Sequence, residues 1–244
     1  MSPTNPHPKL HAALAQAGFC SRRKAEALIA EGKVTVNGQP AYIGQRINPQ
    51  KDIVTVEEKA VQLQVPPRYL FLVNKPVGVV STTSDELGRQ TIIDYFHQQL
   101  HQNNPALATE LHNIRLYPVG RLDLESEGLL LLTNDGALTQ QFTQPSYESL
   151  KTYEVTVAGQ PTPKALNHLA RGVRLKEGYT APAEVELIQE GKAESVLEIT
   201  IHEGRHQQVR RMCERVGYPV LHLTRIKMGP YQLDDLEGLR YKQV

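Results

Sequence analysis

The stretch Gly120-Arg121-Leu122-Asp123-Leu124-Glu125-Ser126-Glu127-Gly128-Leu129, continuing as Leu130-Leu131-Leu132-Thr133-Asn134-Asp135-Gly136, decides how the rest of the chain is read. Its four consecutive leucines are too short a run for a helical stripe and suit a buried strand. Asn134-Asp135-Gly136 is turn chemistry that ends the run. Arg121 and Asp123 therefore belong to an irregular loop feeding a central strand. Loops held by a rigid sheet are where reacting side chains concentrate. An arginine two residues from an aspartate is equally the pattern of a surface ion pair, which contributes little. The motif alone leaves both readings open.

Outward from that strand, the chain alternates short strands with helices. Towards the start, Tyr69 to Val73 reads as a strand halted at Asn74-Lys75-Pro76. Ile92, Ile93, Tyr95 and Phe96 open a helix. Residues 98–113 are polar and read as a flexible excursion with a short helix in it. Towards the end, Tyr153, Val155 and Val157 alternate as a strand. Thr162-Pro163 starts a helix with a cap and a first-turn proline. Leu197, Ile199 and Ile201 alternate again, Val209, Met212, Cys213 and Val216 stripe a helix, and Val220, Leu221 and Leu223 form a late strand. Residues 68–244 are thus expected to build one large, mostly antiparallel sheet with flanking helices.

Ahead of this lies a smaller module, residues 9–57, joined by a linker at 58–67 that ends in Pro66-Pro67. Residues 1–8 carry no periodicity and are expected to be disordered. Leu10, Ala13, Leu14 and Ala17 mark one helix, and Ser21 caps a second that turns Ala25, Leu28 and Ile29 inward. Val34-Thr35-Val36-Asn37-Gly38 is a strong hairpin signal. The fold class is α+β. Arg22-Arg23-Lys24 opens the second helix, where positive charge opposes the helix dipole. That misfit points to phosphate contact, against the ordinary reading of a solvated charged face.

Bulk properties bound the function. The 244 residues are 40% hydrophobic and 22% charged, as in ordinary soluble proteins. The sequence has no apolar run long enough to cross a membrane and no signal-peptide pattern. Cys20 and Cys213 are too few for a disulfide framework and lack metal-ligand spacing, so a reducing cytoplasm is expected. The formal net charge is only +1, but basic residues cluster near both ends of the sequence.

Two resemblances sharpen these readings. Gly120-Arg121-Leu122-Asp123 with Gly128 to Gly136 resembles the signature of bacterial ribosomal RNA pseudouridine synthases, in the branch that modifies single uridines of small- or large-subunit rRNA. Asn74 to Ser81 and Leu223 to Pro230 resemble that family's opening and closing segments. Gly18 to Glu26 with Gly32 to Gly38 resembles the alpha-L RNA-binding motif, which implies that Ser21, Arg22, Arg23 and Lys33 line an RNA surface. The chain departs from the family pattern at Glu125, where aspartate is common, and at His206-Gln207, where Asn-Arg is common.

The resemblance implies isomerisation of uridine to pseudouridine without redox change, hence no cofactor and no metal. A carboxylate can form the covalent intermediate, and the target base must first leave its stack. Asp123 is the implied nucleophile. Arg210, in Gln208-Val209-Arg210, is its implied arginine partner, and Tyr153 is the tyrosine set against the base. Lys75, Arg121, Lys151, Arg205 and Arg211 join the expected RNA contacts. The implied partner is ribosomal RNA, large-subunit favoured over small-subunit rRNA or tRNA, bound by a monomer. Two other classes stay in view. One is a non-catalytic RNA-binding assembly factor. The other is a hydrolase pairing Asp123 with Glu125 or Glu127, since glycosidases need two carboxyl groups facing one bond.

Overall fold

The structure, a computed structural model, describes residues 7–143 and 149–244. The first six residues of the expected irregular start therefore lie outside the described residues. Pro8 is held, its carbonyl accepting the Ile47 N–H at 3.1 Å. The chain forms two units. Among the described residues, one comprises 7–68, 109–115 and 134–136, and the other comprises the remainder.

The first unit contains α1 (Leu10–Gln16), α2 (Arg22–Ala30), β1 (Val34–Val36), β2 (Gln39–Pro40), β3 (Val54–Val56) and β4 (Lys59–Val61), the strands ordered β2-β1-β3-β4. Ser21 caps α2 by accepting the Lys24 N–H at 3.2 Å. The inward stripes of both helices pack on Val34, Val36, Val54 and Val56. Asn37 and Gly38 both have positive φ, as a two-residue hairpin loop requires. Part of the expected linker is a strand: β4 occupies residues 59–61, and Val61 and Leu63 pack against this core. The β3–β4 turn uses Glu57 and Glu58 at positive φ, residues that give no turn signal.

The second unit begins with β5 (Leu70–Lys75) and α3 (Ile92–Asn103), the latter opened by a Thr91–Asp94 capping box. Then come α4 (Pro105–Glu110), β6 (Tyr117–Val119), β7 (Glu127–Thr133), α5 (Gly136–Thr143), β8 (Lys151–Ala158) and α6 (Pro163–Arg171). A small hairpin, β9 (Arg174–Leu175) with β10 (Gly178–Tyr179), precedes β11 (Glu184–Gln189), β12 (Glu194–Ile201), α7 (Gln208–Arg215) and β13 (Val220–Met228). The chain closes with β14 (Tyr231–Gln232), a 3-10 turn at Leu233–Leu236 and β15 (Tyr241–Gln243). In the stretch at 98–113 the expected short helix is α4, but α3 also extends into it to Asn103, and Leu100, Ala108 and Leu111 are buried there. Its apolar stripe is sparse enough that the polar face dominates the local composition.

The main sheet is ordered β11-β12-β8-β13-β7-β5-β15, with β14 beside β13 and β6 beside β7. As expected it is mixed and mostly antiparallel. The β13–β7 pair is parallel, with Thr224 opposite Glu127 and Arg225 opposite Gly128. Strand β7 is buried on both faces, which is why its leucines run without alternation. Leu129 and Leu131 join Leu72, Val119, Phe142, Met228 and Leu236 on one side. On the other, Leu130 and Leu132 face Val73 and Phe71 across the ladder, and Phe71 packs on Phe96 of α3 at 4.8 Å. Gly128 is forced: its φ is +100°, and a Cβ would lie 2.4 Å from the Arg225 carbonyl oxygen. This close approach brings the loop before β7 against the middle of β13.

Candidate active site

The loop at residues 120–126 is clamped through its backbone. Ser81 Oγ donates to the Leu122 carbonyl at 2.8 Å and accepts the Leu122 N–H at 3.1 Å. The Ser126 N–H donates to the Asp123 carbonyl at 3.1 Å, and the Gly78 N–H to that of Leu124 at 2.8 Å. Arg210 Nη2 donates to the Glu125 carbonyl at 2.8 Å, and Lys75 Nζ to that of Ser126 at 2.7 Å. Five consecutive carbonyls thus each have a donor. A loop so tied presents its side chains at fixed positions.

The Asp123 side chain lines a cavity of about 620 Å³ together with Arg121, Lys151, Tyr153, His202, Arg205, His206, Leu223 and Arg225. Tyr153, only 8% exposed, is in register with Ile199 on β12 and Arg225 on β13. Asp123 and Tyr153, separated by thirty residues of sequence, are thus brought to one cavity. Arg210 is not in its lining and forms no ion pair with Asp123 among the described residues; it grips the loop backbone beside it. Glu125 and Glu127 do not line the cavity either, so neither faces Asp123 across it as the hydrolase reading expected; the other acid in the lining, Glu203, is paired with Arg205 and Gln208.

Several cations expected to meet RNA are held by partners within the protein. Lys75 is fully buried, with its ammonium on the Pro76 and Ser126 carbonyls. Burial pushes its pKa down to about 8, Arg225 pushes the same way, and Asp123 and Glu127 oppose. Arg205 donates to Glu203 and to the Gly178 and Tyr179 carbonyls. Arg211 makes a bidentate pair with Glu177 at 2.6 and 3.0 Å, which holds the Glu177 carboxyl down near 2. Both arginines therefore brace the β9–β10 hairpin, whose carbonyls and acid the sequence reading did not place beside them. Lys151 donates to the Ser149 carbonyl at 2.7 Å, and its pKa is lowered by burial and then by Arg225.

In the first unit, the expected RNA-facing residues divide as well. Arg22 and Arg23 are exposed. Ser21 is engaged in capping, and Lys33 pairs with Glu31 at 2.8 Å and Glu57 at 3.5 Å.

Sequence reasoning missed Arg225 as a site residue. It is 1% exposed, lines the cavity and donates from Nε to the Leu129 carbonyl at 2.7 Å. Its place two residues after the inward Leu223 was the available signal. The same period-2 logic puts Lys75 behind Phe71 and Val73 on a buried face.

Comparison with known proteins decides the family. The model of the RNA pseudouridylate synthases matches residues 69–215, and that of the S4 domain matches residues 9–53. The chain belongs to the RNA pseudouridylate synthase family. It is 42% identical over 234 residues to ribosomal large subunit pseudouridine synthase B of Bacillus subtilis, covering 95% of this chain and 88% of that one. It is 38% identical over 202 residues to ribosomal large subunit pseudouridine synthase E of Vibrio vulnificus, covering 77% and 80%. A crystal structure of a pseudouridylate synthase superposes with a TM-score of 0.65 at 30% identity, covering 97% and 95%. An S4 domain followed by a synthase domain matches the architecture expected from the two resemblances.

Proposed function

We propose that this pseudouridine synthase isomerises a uridine of large-subunit ribosomal RNA, with Asp123 as the nucleophile. The observation that carries the residue assignment is the cavity, which joins Asp123 and Tyr153 behind a loop whose five carbonyls are all engaged. The likeness to large-subunit synthases B and E supports the choice of substrate.

In this reading Arg22 and Arg23 meet phosphates, which position an RNA without reading its sequence. Arg121 and Lys151 receive the backbone around the target. The uridine leaves its stack and its base lies against the Tyr153 ring. The Asp123 carboxylate attacks either C1′ of the sugar or C6 of the ring. The C1′–N1 bond breaks, the uracil turns, and a C1′–C5 bond forms as the bond to Asp123 is released. The C5 proton leaves and N1 gains one, so atoms and electrons balance with no redox step. Arg210 and Lys75 act as positioning residues, holding the loop that carries Asp123. The protein works as a monomer in the cytoplasm, a compartment that suits its two free cysteines.

The test is a carbodiimide and primer-extension map of both rRNAs from a strain lacking the gene, complemented with wild type or Asp123→Ala. The expected result is one large-subunit stop restored by wild type alone. Restoration by Asp123→Ala would remove Asp123 as nucleophile, and a small-subunit or tRNA stop would replace the substrate.

A further inference from the structure

Arg225 is a buried cation with donors to spare. Its Nε is committed to the Leu129 carbonyl at 2.7 Å, which fixes the plane of the guanidinium. Its Nη2 is buried and has no hydrogen-bond partner among the described residues. Leaving a donor of an always-charged group unpaired in the interior costs stability, so such atoms call for an explanation. Arg225 also lines the cavity that holds Asp123, and it stands in register with Tyr153 on one side and Gly128 on the other. Its charge reaches into that space, lowering the pKa of Lys151, which also lines it, beyond what burial does.

We propose that Arg225 is a catalytic residue: its uncommitted guanidinium donors take a carbonyl oxygen of the extruded uracil and hold the negative charge the base acquires during the reaction. The assignment rests on the reading of the cavity as the uridine site. Either route to pseudouridine creates that charge. If Asp123 attacks C1′, the electron pair of the C1′–N1 bond passes to the uracil and spreads onto O2 and O4. If it attacks C6, the C5=C6 pair moves through C5 towards O4. A fixed, preorganised cationic donor stabilises such charge far better than water does. The target's phosphates have the exposed Arg121 to meet. Arg225 is buried beside the tyrosine whose ring faces the base, so the base is the nearer acceptor.

The experiment uses an RNA fragment carrying the mapped uridine, or that uridine replaced by 2-thiouridine or 4-thiouridine. Sulfur is a poor acceptor, so each substitution weakens a bond to one carbonyl position. Single-turnover rates and RNA affinities are measured for wild type, Arg225→Lys and Arg225→Met. With uridine, Arg225→Met is expected to lose about 100-fold in rate, the scale of one lost charge-stabilising donor. Its RNA affinity is expected to stay within about 3-fold, because phosphate contacts supply most of the binding. Arg225→Lys, keeping the charge without the fork, should fall between. One thio-RNA should slow wild type without slowing Arg225→Met further, and which one it is identifies O2 or O4. Wild type turning over both thio-RNAs at the uridine rate overturns the proposal, and this arm needs no variant to fold. Equal slowing of wild type and Arg225→Met by the sulfur also overturns it. No product from wild type on either rRNA overturns the underlying reading and the role of Arg225 with it.

Discussion

Replacing Gly128 by alanine tests the junction on which the site is built. A Cβ there would lie 2.4 Å from the Arg225 carbonyl oxygen and 2.8 Å from its nitrogen, so strand β13 has to retreat by more than half an ångström. The backbone at φ +100° is itself unfavourable for an L-residue by roughly 1–2 kcal/mol. Forcing packed strands apart adds about 1–3 kcal/mol, the usual cost of overpacking. The β7–β13 pair has only two residue pairs in register, so little resists the opening. The sum of about 2–5 kcal/mol corresponds to a fall in melting temperature of very roughly 5–15 °C for a chain of this size. Activity should fall further than stability, because the same shift moves the Arg225 guanidinium and the loop carrying Asp123. Thermal melts by circular dichroism and pseudouridine formation at 25 °C, well below either melt, read the two effects separately. A Gly128→Ala protein that melts within about 1 °C of wild type and keeps its rate would refute this account of the strand junction.

Two further outcomes follow from the charges. The folded-state pKa of Lys75 is about 8, below its ordinary 10.5, so between these values the unfolded chain binds a proton that the folded one has released, and stability rises with pH. The gain approaches roughly 3 kcal/mol once both pKa values are passed, and urea unfolding of wild type and Lys75→Met at pH 7 and pH 10 should show that slope in wild type alone; equal slopes would exclude Lys75 as its source. Removing two phosphate contacts with Arg22→Ala and Arg23→Ala should flatten the plot of log affinity for rRNA against log salt by about 1.5 units of slope, whereas an unchanged slope would place both arginines away from the RNA.

The sequence by itself determined the pieces whose signals are local. The Leu129 to Leu132 run announced a strand buried on both faces, because no alternation means no solvent side. Asn37-Gly38 announced a hairpin, because both residues tolerate positive φ. Ser21 and Thr162 announced helix starts through their caps, and the motif around Asp123 announced a loop entering the sheet. The turn at Glu57-Glu58 was illegible, since the fold imposes positive φ on residues that do not ask for it. So was the outer strand β11, whose Val185 and Leu187 are only half-buried and leave a weak alternation. The late strand was legible only to Leu223, because Arg225 and Lys227 interrupt its apolar pattern while the ladder continues to Met228.

What only the tertiary structure decided is which charges line the cavity and which partners hold them. Arg205 and Arg211 read alike as phosphate-binding side chains, yet each meets partners from residues 177–179 that lie some thirty positions earlier. Arg210 reaches the carbonyl of Glu125, eighty-five residues away in sequence. Arg225 becomes a site residue only because β13 runs parallel to β7 and Gly128 admits its backbone. Sequence spacing carries information about neighbours along a helix or a strand. The register between distant strands, and with it the pairing of buried charges, is settled by packing the whole sheet at once.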